Sequence, residues 1–185
     1  MIRRIRAAWL AFLRPELLEI RDSLTGALMP REFTRLAKRI ISRAQKGGQI
    51  ISLVYVDVDG LKEINDTWGH KAGNCFIKEL AQAIFTNIRP LDICVRRHGE
   101  GSDEFVLLLP DASLNDAEKV VRRIQKVFPD FSWGMTQLGD KDDSIEYMTE
   151  RAEQLMYVQK KRKEENNSRI EIPCRVCPEK LDKKR

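Results

Sequence analysis

The sequence has no hydrophobic run long enough to cross a bilayer. Its longest apolar run covers residues 7–13, far short of the roughly 20 residues that a membrane-spanning helix needs. Charged residues follow that run closely and no small-residue cleavage site is evident, so it is also a poor secretory signal. We therefore expect a cytoplasmic protein.

Cysteine is scarce, with four residues in a chain of 185. Cys75 and Cys94 lie inside apolar patterns, which does not suit a disulfide framework. Cys174 and Cys177 form a single CxxC pair, and one pair cannot complete a four-ligand zinc site. A dimer could join two such pairs, but reduced thiols in a reducing cytoplasm fit this usage best.

A strong charge of one sign is also missing. The formal net charge is +5, and much of the excess sits in the basic ends of the chain. A mild positive balance suits a polyphosphate ligand, nucleic acid or an anionic membrane equally well. The net charge therefore identifies no partner.

The length allows one domain with a full hydrophobic core, and we divide the chain into three segments. Residues 1–20 are predicted to form a basic amphipathic helix, because apolar side chains recur there at helical spacing. Residues 21–167 form the single domain, and residues 168–185 form a basic tail.

The hydrophobic pattern of the domain predicts a core of order β-α-β-β-α-β. This order is typical of an α+β, ferredoxin-like or palm-type fold, in which helices flank a central antiparallel sheet. Helices over residues 30–45 and 144–166 are predicted before and after this core. The core elements are predicted over residues 51–58, 71–88, 91–97, 104–109, 114–128 and 130–137.

Acidic residues stand at the ends of two predicted strands. In this topology the first and third core strands are antiparallel neighbours, so Asp57 and Asp59 come close to Asp103 and Glu104. Clustered carboxylates repel one another unless a cation lies among them. Oxygen ligands suit Mg²⁺ or Mn²⁺ bound together with substrate phosphates.

Residues beside these carboxylates favour phosphate binding. Gly60 lets backbone amides approach a phosphate closely, and Lys62 and Lys160 supply positive charge. The residues themselves thus predict a protein that handles a nucleoside triphosphate with a divalent metal.

Four segments, in the right order, resemble the GGDEF domain of diguanylate cyclases over about residues 20–166. Residues 22–26 (DSLTG) are similar to the entry motif of that family, and residues 57–70 (DVDGLKEINDTWGH) to its metal- and base-binding segment. Residues 101–105 (GSDEF) stand at the signature, and residues 150–160 (ERAEQLMYVQK) at the C-terminal helix motif.

The resemblance implies a reaction in which two GTP molecules condense to cyclic di-GMP and release two pyrophosphates. Each domain would hold one GTP, so catalysis requires a homodimer, and Mg²⁺ or Mn²⁺ is the expected cofactor. We therefore favour dimerisation as the role of the N-terminal helix over peripheral contact with a membrane, and we expect no nucleic-acid partner.

The resemblance also implies roles for individual residues. Glu104 would assist at the metal or help to deprotonate the 3′-hydroxyl, and cyclic di-GMP would bind a separate site as an inhibitor. The implied metal ligands are Asp57, Asp103 and the Val58 carbonyl; the implied phosphate-binding residues are Gly60, Leu61, Lys62 and Lys160; Asn65 and Asn74 stand at the base-reading positions; Arg89, Asp92 and Arg123 stand at the product-binding positions.

The sequence departs from the family in the hairpin that carries the signature. Ser102 replaces the second glycine and disfavours a positive φ there. The hairpin is also about three residues longer than usual, with residues 98–100 inserted. Because both strands keep their apolar pattern, we expect the insertion to extend the tip without moving Asp103 relative to Asp57.

Two further departures concern the substrate. Asn74 stands where the family usually has Asp, and an amide complements adenine as well as part of the guanine edge. Glu164 stands where the family often has an Arg for the terminal phosphate, with Arg162 and Lys163 close enough to substitute.

These departures leave two alternatives to a diguanylate cyclase. One is a catalytically degenerate module that binds GTP or cyclic di-GMP and regulates a partner. The other is a cyclase that makes a mixed GMP-AMP cyclic dinucleotide.

Overall fold

The computed structural model describes residues 21–98, 102–139 and 143–165. The predicted N-terminal helix and basic tail lie outside the described residues. Within the described part, five helices and four strands follow one another along the chain. They are α1 (Pro30–Gly47), β1 (Ile51–Val58), α2 (Leu61–Trp68), α3 (His70–Asn87), β2 (Ile93–Arg96), β3 (Glu104–Pro110), α4 (Leu114–Val127), β4 (Phe131–Gln137) and α5 (Ile145–Glu165).

The four strands form one sheet in the order β2-β3-β1-β4, and every neighbouring pair is antiparallel. The predicted α+β fold and the predicted pairing of the first with the third core strand are confirmed. The third strand starts opposite the end of the first, since Asp57 pairs with Glu104 and Val56 with Phe105.

Helices cover both faces of the sheet, and this explains why every residue of β1 is buried. Successive side chains of a strand point to opposite faces. Val54 and Val56 pack among side chains of α3 and α4, whereas Leu53 and Tyr55 pack among side chains of α1 and α5. The sequence of β1 is therefore a nearly continuous apolar run and does not alternate between apolar and polar residues.

Gly134 lets α5 lie directly against β4. A Cβ atom at this position would lie 2.1 Å from the carbonyl oxygen of Ala152 and 2.3 Å from the backbone nitrogen of Met156. Any side chain would therefore push the helix away from the sheet. This close approach brings the C-terminal half of α5 over the end of β1.

Both edges of the sheet have backbone groups that pair outside the strands. Along β2, Leu28 donates to the Cys94 carbonyl at 2.9 Å and accepts from the Arg96 amide at 3.3 Å. Along β4, the Trp133 amide donates to the side-chain oxygen of Gln159 on α5 at 2.6 Å. These contacts cover part of each edge.

The structure adds one helix to the prediction and shortens one strand. The helix α2 was not predicted; Gly60 with φ 70° and Gly69 with φ 80° separate it from β1 and from α3. The strand predicted over residues 91–97 is shorter in the structure, where β2 covers only Ile93–Arg96. It starts later than predicted because Asp92 belongs to a turn, in which its amide donates to the Arg89 carbonyl. Among the helices of the described residues, none combines the length and the apolar character that spanning a bilayer requires.

Candidate active site

The carboxylates predicted to act together meet where β1 ends and β3 begins. Asp57 is the direct partner of Glu104 in the ladder, and the Val58 amide donates to the Asp103 carbonyl at 3.3 Å. The antiparallel register therefore brings Asp57, Asp103 and Glu104 to one end of the sheet.

Asp57 faces α5, where its carboxylate accepts a hydrogen bond from the Lys160 ammonium. Burial raises the pKa of Asp57 to about 6; the charges of Asp103 and Glu104 add to the rise, and Lys160 opposes it. Burial alone would lower the pKa of Lys160, but the bond to Asp57 and the surrounding negative charges raise it overall. The end of β1 thus concentrates negative charge that one lysine offsets only in part.

Asp59 is held by a second lysine of α5. Its carboxylate accepts from the Ser132 hydroxyl at 2.7 Å and from the Lys163 ammonium at 2.8 Å. Lys163 also donates to the Phe131 carbonyl at 2.6 Å. Lys163 was expected to substitute for a phosphate-binding arginine, but in the structure its ammonium is bound to Asp59 and to the Phe131 carbonyl. Arg162, the other expected substitute, is exposed.

The base of the hairpin is fixed by a buried ion pair that the sequence reading missed. Arg96 donates to both oxygens of the Asp22 carboxylate at 3.2 and 3.1 Å. The Arg96 Nε also donates to the Ser102 carbonyl at 2.7 Å. This one guanidinium ties the entry loop to the residue immediately before Asp103.

The two strands that lead into the hairpin tip stay paired as far as Arg97 and Glu104. Arg96 pairs with Phe105, and the Arg97 amide donates to the Glu104 carbonyl at 2.9 Å. The predicted insertion of residues 98–100 therefore falls between residues that keep their pairing, and residues 99–101 are outside the described part.

His98 borders the Glu104 carboxylate, and Arg97 lies over the ring of Tyr55. The His98 Nε2 lies 3.4 Å from the Glu104 Oε2, and His98 has a left-handed φ of 61°. Arg97 lies over the Tyr55 ring, 5.3 Å from its centroid. Burial and the Glu104 carboxylate raise the pKa of Tyr55, so this hydroxyl stays protonated beneath the site.

The residues predicted to bind phosphates lie at the start of α2 and on α5. Gly60 immediately precedes the helix, Leu61 is its first residue and Lys62 is exposed. The N-terminus of a helix favours anions because its first amides have no partner within the helix. Lys160 approaches the same end of the sheet from α5, as its contact with Asp57 shows.

Asn65 and Asn74, at the base-reading positions, lie on the neighbouring helices α2 and α3. The Asn65 side chain lies directly against Gly73, the residue before Asn74. Asn65 is partly buried and Asn74 is exposed. The Asn65 amide thus lies at the junction of the two helices, against the residue that precedes Asn74.

The residues at the product-binding positions surround the turn from α3 to β2. Arg89 donates to the Asp92 carboxylate at 2.9 Å and to the Pro110 carbonyl at 2.8 Å. Arg123 donates to the Asn87 carbonyl at 2.9 Å. Asp92 is buried while Arg89 and Arg123 are both exposed, so both arginines of this group are open to solvent.

The donor chemistry at the end of β1 fits a magnesium ion that arrives with a triphosphate. Within the described residues, no group of three or more His, Cys, Asp or Glu side chains is arranged to hold a metal on its own. Mg²⁺, however, is usually bound by one or two carboxylates together with substrate phosphates. Asp57, Asp103 and the Val58 carbonyl supply oxygen donors of that kind.

Comparisons with known proteins identify the family of this chain. Residues 19–166 match the family described as the diguanylate cyclase GGDEF domain. The chain is 38% identical to the diguanylate cyclase DosC of Escherichia coli strain K12 over 109 residues, which cover 57% of this chain and 23% of DosC. The chain thus spans about a quarter of the length of this curated relative.

Two solved structures share the fold. Diguanylate cyclase SiaD of Pseudomonas aeruginosa, solved with its activator SiaC, superposes with a TM-score of 0.72 at 29% identity, covering 87% of this chain and 67% of SiaD. The GGDEF domain of DgcB from Caulobacter crescentus, solved with c-di-GMP, gives a TM-score of 0.71 at 25% identity, covering 77% of this chain and 90% of that one. With its matching segments, its sheet order and these relatives, the chain belongs to the diguanylate cyclase GGDEF domain family.

Proposed function

We propose that this chain is a diguanylate cyclase that condenses two GTP molecules into cyclic di-GMP as a metal-dependent homodimer. The observation that carries the proposal is the pairing of Asp57 with Glu104, which gathers three carboxylates and Lys160 at one end of the sheet. Such a cluster is costly unless it binds cations or phosphate-bound metal.

The reaction exchanges one phosphorus–oxygen bond for another, twice. The 3′-oxygen of each GTP attacks the α-phosphorus of the other, the bond between the α- and β-phosphates breaks, and pyrophosphate leaves. The hydroxyl proton must go to a base, and we assign that role to Glu104, whose side chain is 21% exposed beside Asp57. A bound Mg²⁺ supplies neutralising charge for the phosphates, and Asp57, Asp103 and the Val58 carbonyl are the residues that would hold it.

We assign triphosphate binding to the start of α2 and to Lys160. The amides at Gly60 and Leu61 and the charge of Lys62 suit the anion, and Lys160 would exchange its bond to Asp57 for one to a phosphate. One domain supplies residues for one GTP only, which is why the proposal requires two copies facing each other.

Two observations favour the alternatives. The exposed amide of Asn74, in place of a carboxylate, favours a cyclase that accepts ATP as its second substrate. The Lys160 ammonium on Asp57, together with the lengthened hairpin, favours a module that binds nucleotide without turnover.

The experiment is product analysis by mass spectrometry after incubation with Mg²⁺ and GTP, ATP or both. We expect cyclic di-GMP from GTP alone, and the Asp103→Ala variant should make none while keeping the unfolding temperature of the parent. A mixed product would favour the second cyclase. Bound GTP without product would favour the regulatory module, and product from Asp103→Ala would disprove the metal assignment.

We assign Arg89, Asp92 and Arg123 to inhibition by cyclic di-GMP. Asp92 already holds the exposed Arg89, so the pair presents a fixed cation to a phosphate. Arg89→Ala should relieve inhibition by added cyclic di-GMP without lowering the initial rate; unchanged inhibition would show the pair to be a surface ion pair only.

A further inference from the structure

Gly73, in the first turns of α3, leaves room for the side chain of Asn65 on α2. A Cβ atom at position 73 would lie 2.1 Å from the Asn65 Oδ1, 2.9 Å from its Cγ and 3.1 Å from the Leu61 Cδ1. The backbone of Gly73 is not left-handed, so space alone demands glycine here. The Asn65 amide occupies a notch that exists because residue 73 has no side chain.

The atoms that a Cβ would meet are the ends of movable side chains. At Gly134 the colliding atoms belong to the backbone of α5, so a side chain there displaces a whole helix. At Gly73 the Asn65 amide can rotate away instead. An alanine at position 73 is therefore compatible with the fold and incompatible with the observed place of the Asn65 amide.

The backbone of Asn65 cannot follow such a movement. Its carbonyl accepts from the Gly69 amide at 2.8 Å, which fixes the last turn of α2. A Cβ at position 73 would displace Oδ1 by about 1 Å, which exceeds the range of distances over which a hydrogen bond keeps its strength. The notch thus determines where the amide points.

We infer that Gly73 is a positioning residue for base recognition: its missing side chain seats the Asn65 amide at the junction of α2 and α3, where it reads the purine base together with Asn74. This inference rests on the proposed function, because it assigns the purine base of the triphosphate to this pair. In this inference Gly73 acts only through the position of Asn65.

The test compares Gly73→Ala, Asn65→Ala and the double variant for binding of two nucleotides that cannot condense, 3′-deoxy-GTP and 3′-deoxy-ITP, by isothermal titration. Inosine lacks the 2-amino group of guanine, so the ratio of the two dissociation constants reports base reading separately from phosphate binding. We expect Gly73→Ala and Asn65→Ala each to weaken 3′-deoxy-GTP binding about tenfold, the value of one lost hydrogen bond. The double variant should lose no more than either single variant.

Gly47→Ala is the matched control. The nearest heavy atom to a Cβ at position 47 is 3.7 Å away, so this change should leave nucleotide binding unaltered. Gly73→Ala should also keep the unfolding temperature of the parent and shift the side-chain amide resonances of Asn65 in an NMR spectrum, a readout that needs no nucleotide.

The other outcomes distinguish a failure of this inference from a failure of the proposed cyclase activity. If Gly73→Ala binds 3′-deoxy-GTP as the parent does while Asn65→Ala is weakened, the notch does not position the amide and the inference is wrong. If both variants bind as the parent does, Asn65 does not read the base and the inference is wrong, although the cyclase proposal stands. If the parent binds neither nucleotide, the proposed function fails, and shifted Asn65 resonances would then show a steric contact without a role in recognition.

Discussion

The buried ion pair between Arg96 and Asp22 provides the sharpest test of what holds the site together. The two side chains are 2% and 0% exposed, and Arg96 heads the fully buried side chains by volume. Asp22→Asn is nearly isosteric and keeps an oxygen that can accept from the Thr25 amide and hydroxyl, as Asp22 does now. It removes the charge that Arg96 faces and replaces one acceptor of the Arg96 guanidinium, Oδ2, by an amide donor.

The expected cost follows from the burial of both partners. Leaving one charge of a buried pair without its partner typically costs about 3–5 kcal/mol, a large share of the roughly 5–15 kcal/mol that stabilises a domain. Arg96→Met should cost as much, since it leaves the Asp22 carboxylate buried and also removes the bond to the Ser102 carbonyl. The double variant carries neither charge, so its cost should fall below the sum of the single costs by about 2 kcal/mol or more.

Equilibrium urea denaturation of the parent, the two single variants and the double variant measures these free energies of unfolding. Lys38→Met is the control, because Lys38 pairs with Glu146 at 3.0 Å while both side chains are more than half exposed, and such pairs contribute about 0–1 kcal/mol. The reasoning would be refuted if the losses of unfolding free energy in Asp22→Asn and Arg96→Met added up to the loss in the double variant. It would also be refuted if neither loss exceeded that of Lys38→Met. Arg96→Met should in addition lower turnover more than Asp22→Asn, since only Arg96 anchors the residue before Asp103.

Three further predictions concern packing, charge and base choice. Gly134→Ala should destabilise the fold by about 1–3 kcal/mol or more, because its Cβ meets backbone atoms of α5; an unchanged thermal unfolding temperature would contradict that packing. In the nucleotide-free chain, burial raises the pKa of Asp57 from 3.8 to about 6, so the folded chain binds more protons between these values and the free energy of unfolding falls as the pH rises through them. Asp57→Asn should remove this part of the slope in urea denaturation from pH 4 to 7, and an identical slope would show that the carboxylate ionises normally. Asn74→Asp should increase the preference for GTP over ATP, because a carboxylate accepts from the guanine edge and offers adenine no donor; mass spectrometry of products from equimolar GTP and ATP would reveal an unaltered mixture if this is wrong.

Much of the fold could be predicted because its signals are local. The run of β-branched and apolar residues at 51–58 is preceded by the glycine pair at 47–48 and followed by Asp59 and Gly60, and β1 has those limits. The helix α2 was missed because only Ile64 is buried among its eight residues, which is too short a pattern for a period of 3.6 to show.

The contacts that shape the site could not be predicted, since they join residues far apart in the sequence. Asp22 and Arg96 are 74 positions apart, and nothing local distinguishes Arg96 from its neighbour Arg97. Alternation along the strand sends the first to Asp22 and the second toward Glu153. The engagement of Lys163 by Asp59 likewise depends on how α5 lies across β4, which the close approach at Gly134 determines.

The covered sheet edges bear on how two copies of this domain can meet. An open edge strand offers unpaired amides and carbonyls to any other strand, and this route leads to runaway β-aggregation. Here Leu28 pairs along β2 and Gln159 takes an outward amide of β4, so a second copy gains little by adding its own strand. We therefore expect two copies of the proposed homodimer to meet through helical and loop surfaces, which leaves the active-site ends of their sheets free to face each other.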